Sequence, residues 1–239
     1  MRLRIMEKRG KLIVFEGGEG CGKTTQLQHT QQWLEQWLSD RGWLENAQPS
    51  FPIAAIASTR EPGGTPLCQN IRQVLLTPDL EPMQDRTELL LYAADRAQHV
   101  AGYLQPLLAQ STLILCDRYT DSTVAYQGYG RGLDLDLIHQ LNTIATQGLI
   151  PDLTLWLDLE VELGLARAQA RGSRDRIEQA DVAFHQRVRQ GFMELHQAHP
   201  DRILRIDAAQ PIDAVSQAIQ TVLETKLTQW YAIPAICNP

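Results

Sequence analysis

The chain has 239 residues, and its 22 lysines and arginines against 28 aspartates and glutamates give a formal charge of −6. Its hydrophobic fraction of 44% is that of a globular protein and excludes wholesale disorder, while the negative charge disfavours a surface that coats nucleic acid. No apolar run approaches the ~18 residues that cross a membrane, and four scattered cysteines disfavour a disulfide framework, so we expect a cytoplasmic protein that binds neither membranes nor nucleic acids.

Short apolar runs of strand length alternate along the chain with longer segments of helical periodicity. Runs rich in Ile, Leu and Val predict five buried strands, at 12–15, 53–57, 113–116, 153–157 and 203–206. Helical spacing predicts helices at 24–39, 66–77, 84–110, 135–147, 160–171, 181–199 and 211–230. This alternation predicts an α/β fold with a five-stranded parallel sheet covered by helices on both faces, and ligands at the carboxyl ends of the strands.

We expect a single domain over 1–239. Its core spans about 11–229, an irregular connection falls at 40–52, and a frayed tail follows at 232–239.

The segment directly after the first predicted strand has the strongest functional signal in the chain. It matches G-x-x-x-x-G-K-[ST] at every position and is made up of Gly17, Gly18, Glu19, Gly20, Cys21, Gly22, Lys23 and Thr24. Such a loop cradles phosphates with backbone N–H groups at the start of a helix. Lys23 then reaches the β and γ phosphates, and the Thr24 hydroxyl is available to Mg²⁺. A nucleoside triphosphate site is therefore predicted.

The rest of the chain narrows the class of nucleotide-binding protein. A switch GTPase would carry an Asp-x-x-Gly after a later strand and an Asn-Lys-x-Asp guanine reader, and the sequence has neither. Asp117 and Arg118 follow the third predicted strand, where an acid can hold the water shell of Mg²⁺ and a cation can face the same crevice. The alternative is a strand-capping aspartate beside a surface arginine.

Three further segments suggest an acceptor side. Residues 122–128 supply hydroxyls, an aromatic ring and an amide, which could read a base and sugar or merely begin a helix. Residues 59–65 form a loop stiffened by proline and paired glycines, in which Arg60 is a second phosphate clamp unless the loop is a simple turn. Tyr92 and Arg96 share a helix face, where they could meet a base or be a core tyrosine and a surface arginine.

A cluster of arginines lies after the fourth predicted strand. Arg167, Arg171 and Arg174 are spaced along one helix face, Arg176 follows, and Gly172 gives the helix a place to break into a mobile flap. Such a segment could stabilise the charge that develops on a transferring phosphoryl group. A solvated helix face paired with acidic neighbours is the alternative.

Taken together, these segments resemble the thymidylate kinases over about residues 11–208. The resemblance rests on 15–25, 59–65, Tyr92 with Arg96, 117–128, and 171–179. It implies a three-layer P-loop kinase fold with a helical lid at about 167–180. It also implies transfer of the γ-phosphoryl group of ATP to dTMP with Mg²⁺, giving dTDP and ADP for dTTP biosynthesis, and a homodimer.

The resemblance also implies roles for individual residues. ATP would bind residues 17–24. Catalysis would involve Lys23, Arg118, Arg171 and Arg176. Thr24 and Asp117 would serve the metal. The acceptor would meet Glu19, Arg60, Tyr92, Arg96, Arg118, Thr123, Tyr126 and Gln127. One branch of the family keeps a catalytic arginine inside the phosphate loop, whereas this chain has Gly20 there, so the lid arginines would carry that function.

Two other functions compete with this one. A deoxynucleoside kinase would need a general base for a 5′-hydroxyl, and Glu61 could supply it. A phosphate oxygen of dTMP is already an anion and needs no base, and Arg60 and Arg118 suit an anionic acceptor better than a neutral one. A nucleotide-dependent switch or assembly module is disfavoured by the missing guanine reader and by the motifs on the acceptor side.

Overall fold

The sheet is parallel, and the strand that leads into the phosphate loop lies at its centre. The computed structural model describes residues 9–41, 53–77, 82–170, 172 and 175–231. Its strands are β1 (Leu12–Glu16), β2 (Ala55–Arg60), β3 (Thr112–Asp117), β4 (Leu153–Asp158) and β5 (Ile203–Asp207). They pair in the order β2-β3-β1-β4-β5. The predicted five-stranded parallel sheet is confirmed.

Helices follow most strands at the predicted places. The described residues form α1 (Lys23–Ser39), α2 (Pro66–Leu76), α3 (Asp85–His99), α4 (Gln105–Ala109), α5 (Thr120–Thr123), α6 (Leu135–Thr146), α7 (Val161–Ala170), α8 (Val182–Ala198) and α9 (Ile212–Tyr231). Two wider π-helical segments join them, π1 (Val100–Leu104) and π2 (Val124–Gly130). Residues 42–52 of the predicted connection and the predicted tail at 232–239 lie outside the described residues.

Both faces of the sheet are covered, as predicted. In β1, Ile13 and Phe15 join an apolar cluster with residues of α1 and α9. Their neighbours Leu12 and Val14 point to the opposite face and pack with residues of the 100–109 helical stretch. Because alternate side chains of one strand are all buried, β1 is enclosed between two helical layers.

The second strand is displaced from its prediction. It runs from Ala55 to Arg60, so Thr59 and Arg60 are strand residues and the prediction of a loop there is wrong. The strand is also half exposed, because it lies at the edge of the sheet and pairs only with β3. Ile53 lies before the strand, yet it is buried in the core. The hydrophobicity of Ile53 therefore reflects its burial in the core and not pairing in the sheet.

The long helix predicted at 84–110 forms as three consecutive segments. α3 ends at His99, π1 follows, and α4 starts at Gln105. Pro106 has no N–H to donate to residue 102, and its ring would crowd that carbonyl in a regular α-helix. A widened turn directly before a proline relieves this conflict. Among the described residues, no helix combines the length and the apolar character needed to span a membrane.

Candidate active site

The phosphate loop connects the central strand to α1. Gly17, Gly20 and Gly22 have φ angles of 141°, 66° and 92°, which glycine adopts without the strain that a side chain would bring. Lys23 Nζ donates to the carbonyl oxygens of Gly17 at 3.1 Å and Gly18 at 2.9 Å. The lysine charge is therefore held directly against the loop.

A contact between two glycines fixes the loop against α7. A Cβ atom on Gly20 would lie 2.0 Å from the carbonyl oxygen of Gly164, and a Cβ on Gly164 would lie 2.3 Å from that of Glu19. Both neighbours are backbone atoms, so neither can rotate away. No side chain fits at Gly20 without moving the loop or the helix, and an arginine at this position is incompatible with the packing.

Two oxygen ligands suited to Mg²⁺ meet beside the loop. Thr24 Oγ1 donates a hydrogen bond to Asp117 Oδ2 at 3.1 Å, across the boundary between α1 and the end of β3. The described residues contain no group of three or more His, Cys, Asp and Glu side chains placed to hold a metal. Mg²⁺ bound with phosphates keeps several waters and needs only one or two protein ligands. The pair therefore fits such an ion.

Arg118 joins the two sides of the cleft. It follows β3 with a φ angle of 69°, which is unusual for a side chain other than glycine. Its guanidinium donates to Glu19 Oε1 at 2.7 Å and to Gly17 O at 3.1 Å, and it lies 4.8 Å from the centre of the Tyr126 ring. Tyr126 in turn donates to Glu19 Oε1 at 2.6 Å. Burial would raise the pKa of Glu19, but Arg118 and Lys23 lower it to about 2.

Two further arginines line the cleft near the end of β2. Arg60 is the exposed last residue of β2 and is paired in register with Asp117 of β3. Arg72 of α2 also lines the cleft, and its Nη1 donates to Pro62 O at 2.9 Å. Burial and the charge of Arg60 lower the pKa of Arg72. This role of Arg72 could not be predicted, because nothing in the sequence distinguishes it from a solvated arginine on an amphipathic helix.

Arg96 is buried and not a surface residue. Only 2% of it is exposed, and its Nε donates to Glu61 Oε2 at 2.8 Å. Its Nη1 donates to Thr123 and Asn142, and its Nη2 donates to the Tyr119 carbonyl oxygen. A guanidinium has five N–H groups, so these four bonds leave one N–H of Nη2. That group belongs to a side chain that lines the cleft.

Each carboxylate oxygen of Glu61 contacts a buried side chain. Besides Arg96 Nε, its Oε1 contacts His99 Nδ1 at 2.9 Å, and His99 Nε2 lies 2.8 Å from Thr59 Oγ1. Both carboxylate oxygens therefore have partners, in a group that is only 4% exposed. A carboxylate held in this way positions Arg96.

The wall opposite the phosphate loop is formed by α3, α5, π2 and the 175–180 segment. Tyr92, Thr123 and Gln127 line it, and so do Asp175 and Ile177. Residues 122–128 continue the helix that begins at Thr120, and they supply side chains to the cleft. That they read a base and sugar stays a prediction.

The lid arginines fall in different places. Arg171 and Arg174 lie outside the described residues. Arg167 donates to Ala208 O at 3.3 Å, next to the end of β5. Arg176 forms an ion pair with Glu88 of α3 at 2.5 Å and donates to Leu75 O of α2. The guanidinium of Arg176 is therefore directed at these two helices, and the prediction that it contacts the γ-phosphate stays a prediction.

Glu16, for which the sequence predicts no separate role, holds the backbone of residues 118–123 in place. It is fully buried at the end of β1 and accepts hydrogen bonds from Tyr119 N at 2.8 Å, Ser122 N at 3.1 Å and Ser122 Oγ at 2.5 Å. Burial, with the charge of Asp121 as a second cause, raises the pKa of Glu16 to about 7. The backbone that carries Arg118 is thus anchored on a carboxyl group that titrates near neutrality.

This raised pKa predicts a pH-dependent stability. Between the unfolded pKa of 4.5 and the folded pKa of about 7, the folded chain keeps a proton that the unfolded chain has lost, so the free energy of unfolding falls as pH rises. The loss should approach about 3 kcal/mol. Urea unfolding of wild type and Glu16→Gln between pH 5 and 8 should show a shallower decline in the variant. Parallel curves would contradict the assignment.

Most predicted site residues meet in one cleft. The predicted residues that line it are Glu19, Gly20, Gly22, Lys23, Thr24, Arg60, Tyr92, Arg96, Asp117, Arg118, Thr123, Tyr126 and Gln127. Gly17, Gly18 and Cys21 complete the loop between β1 and α1.

The fold and the cleft define a class of protein. A phosphate loop on the central strand of a parallel sheet, an oxygen pair suited to Mg²⁺ and several arginines lining the same cleft are the parts of a P-loop phosphotransferase.

Comparisons with known proteins narrow this class. A family model described as thymidylate kinase matches residues 15–219. A thymidylate kinase of Cyanothece sp. (strain PCC 7425 / ATCC 29141) is 62% identical, over 93% of this chain and 97% of that protein. One of Acaryochloris marina is 54% identical, over 93% and 99%. The crystal structure of the Ehrlichia chaffeensis thymidylate kinase is 30% identical, over 90% and 99%, with a TM-score of 0.70. The chain belongs to the thymidylate kinase family.

Proposed function

We propose that this protein transfers the γ-phosphoryl group of ATP to dTMP, giving dTDP and ADP, and that it supplies dTTP synthesis in the cytoplasm. The observation that carries the proposal is the two-sided cleft. The phosphate loop forms one side, and the cationic residues Arg60, Arg72 and Arg118 face an acceptor that must itself be anionic.

The proposed chemistry is positioning and neutralisation of charge. A phosphate oxygen of dTMP attacks as an anion, so the reaction needs no general base. Lys23 and the loop N–H groups hold the donor phosphates, and Arg118 with Arg60 holds the acceptor phosphate. Arg118 contacts both the loop and the acceptor wall, so it sets the distance between the two reacting groups.

Mg²⁺ is part of this proposal. Thr24 would bind it directly and Asp117 would hold its water shell, and the ion would neutralise charge on the donor phosphates. The lid arginine proposed for the charge that develops on the transferred group is Arg171.

The remaining wall would read the nucleoside. Tyr92 stacks near thymine, the free N–H of Arg96 bonds its O4 edge, and Thr123 lies on its N3 side with Gln127 next to it. Tyr126, held by Glu19, crowds the 2′ position and so favours deoxyribose. Glu19 itself meets the 3′-hydroxyl region.

The nearest rival, a deoxynucleoside kinase, is disfavoured by the cations of the cleft, because Arg60, Arg72 and Arg118 suit an anionic acceptor better than a neutral one. That reaction would also need a general base near the acceptor hydroxyl, and the candidate base Glu61 holds Arg96 and contacts His99.

A coupled assay of ADP release with dTMP, dUMP, dCMP and thymidine tests the proposal. We expect the highest kcat/KM with dTMP and turnover of thymidine lower by on the order of 10³-fold, because thymidine lacks the anion that the arginines bind. Fastest turnover of thymidine, or no turnover of any acceptor, would reject it.

We also propose that the protein is a homodimer, formed through the side-by-side helices α2, α3 and α6. Large apolar side chains are exposed on all three: Leu67 and Val74 on α2, Leu90 on α3, and Ile144 on α6. A cluster of this kind on adjacent helices is typical of a protein interface.

Ile144→Lys should convert the dimer into a monomer at micromolar concentration, because it places a charge in an apolar interface. Light scattering at several concentrations measures the mass. Ile212→Glu is the control, since it changes another exposed isoleucine, on α9. A monomeric wild type, or a dimeric Ile144→Lys variant, would overturn this arrangement.

A further inference from the structure

Glu88 of α3 is a buried carboxylate to which the proposed reaction assigns no role. Its exposure is 0%, and side chains from two other elements converge on it. Gln127 Nε2 donates to Oε1 at 2.7 Å, Arg131 Nη2 donates to Oε2 at 3.1 Å, and Arg176 Nη2 pairs with Oε2 at 2.5 Å. Burial opposes its charge, but the bonds from Arg131 and Gln127 lower the pKa of Glu88 below its ordinary value. The group is therefore ionised at neutral pH.

The partners of Glu88 belong to the acceptor wall and to the lid. Gln127 lies in π2 and lines the cleft. Arg131 follows π2 directly, and its backbone N–H donates to Tyr126 O at 2.9 Å. Arg176 lies in the 175–180 segment. One carboxylate thus ties three stretches of chain that are distant in sequence, and its removal would leave Arg131 and Arg176 without this shared counter-charge.

Arg176 fastens the 175–180 segment to the acceptor side. Its backbone N–H and its Nε donate to the carbonyl oxygens of Leu76 at 3.3 Å and Leu75 at 3.0 Å. These two residues end α2, where the last carbonyl groups have no partner within the helix. The residues on either side of Arg176 line the cleft, namely Asp175 and Ile177. Arg176 therefore fixes the position of this segment, and the adjacent side chains of Asp175 and Ile177 line the cleft.

We propose that Glu88 is a positioning residue of the acceptor site, which sets the cleft wall through Gln127 and holds the 175–180 segment against that wall through Arg176. The proposal rests on the proposed function for the identity of the acceptor. It gives Arg176 the role of fastening the lid in place of contact with the γ-phosphate. It also couples Gln127 of the cleft wall to Arg176 of the 175–180 segment. Both side chains contact the carboxylate of Glu88, so an acceptor that moves Gln127 also disturbs the ion pair of Arg176.

A double-mutant cycle tests the coupling. Glu88→Gln and Arg176→Gln should each raise KM for dTMP about tenfold and change kcat less than about threefold, and the double variant should resemble the more affected single variant. Arg176→Lys, which keeps the charge, should recover part of the loss. Glu194→Gln, which changes an exposed residue of α8, is the control and should leave both constants unchanged. Additive effects, or a fall in kcat of about 10³-fold in Arg176→Gln alone, would overturn the proposal.

A second measurement separates positioning from general loss of stability. Tryptic cleavage after Arg176, followed by mass spectrometry without nucleotide, should be about tenfold faster in Glu88→Gln than in wild type. Leu223→Ala, a buried change on α9 in a different apolar cluster, should lower Tm without raising KM for dTMP. Equal cleavage rates in wild type and Glu88→Gln, or the same rise of KM in Leu223→Ala, would reject the role of Glu88. If wild type fails to use dTMP, the proposed function falls, and the cleavage rates still decide whether Glu88 fastens the segment.

Discussion

Replacement of Arg118 by methionine is expected to lower kcat/KM for dTMP by on the order of 10³-fold or more. The guanidinium is bonded to Gly17 O, Glu19 and Ser122, so a single side chain joins the phosphate loop to the acceptor wall. Methionine keeps much of the volume and removes the charge and every donor. Steady-state kinetics with dTMP and ATP varied separately would measure the loss.

Arg41→Met is the matched control for this substitution. Arg41 packs on the Trp37 ring and donates to Trp37 O at the end of α1, and it does not line the cleft. We expect its kinetic constants to stay within about twofold of wild type. A loss in Arg118→Met that is no larger than the loss in this control would remove Arg118 from the mechanism.

Gly20→Ala should lower kcat/KM for ATP by about 10²-fold, and it should also destabilise the protein by about 2 kcal/mol. The added Cβ would meet the Gly164 carbonyl oxygen at 2.0 Å, and the φ angle of 66° adds strain for alanine. The loop must therefore move away from α7, which displaces the N–H groups proposed to bind phosphate. ATP kinetics and urea unfolding would be measured together.

Gly18→Ala provides the comparison within the same loop. A Cβ atom on Gly18 would have no neighbour within 4 Å, so its effect should be at least tenfold smaller than that of Gly20→Ala. Equal effects of the two substitutions would show that the contact with Gly164 is unimportant and that any added methyl group disturbs the loop.

Features fixed by local chemistry could be predicted from the sequence. The phosphate loop needs glycines, a lysine and a hydroxyl at set intervals, so Lys23 and Thr24 could be assigned from spacing alone. Asp117 could be placed because an acid that directly follows a buried strand must lie at the carboxyl edge of the sheet. The central strands were predicted within a residue or two, since burial on both faces leaves continuous apolar runs.

Features that depend on distant partners could not be predicted. Arg96 is buried because Glu61, 35 positions away, neutralises it, and no local pattern pairs the two. Arg72 reaches the cleft because the loop after β2 folds back over α2. The role of Glu88 could not be predicted for the same reason, because only the fold brings its partners Arg131 and Arg176 next to it. Edge strand β2 was misplaced because its pairing leaves little trace in hydrophobicity.

The position of Glu19 has a consequence for how this enzyme can be recombined with its relatives. The residue belongs to the donor loop, yet its carboxylate is bonded to Arg118 and Tyr126 of the acceptor wall. A chimera that exchanges only the 117–130 segment would replace the partners of this carboxylate and leave the carboxylate itself in place. The acceptor preference of a relative should therefore be transferred only when residues 17–24 are exchanged together with that segment, although the two stretches lie about a hundred positions apart.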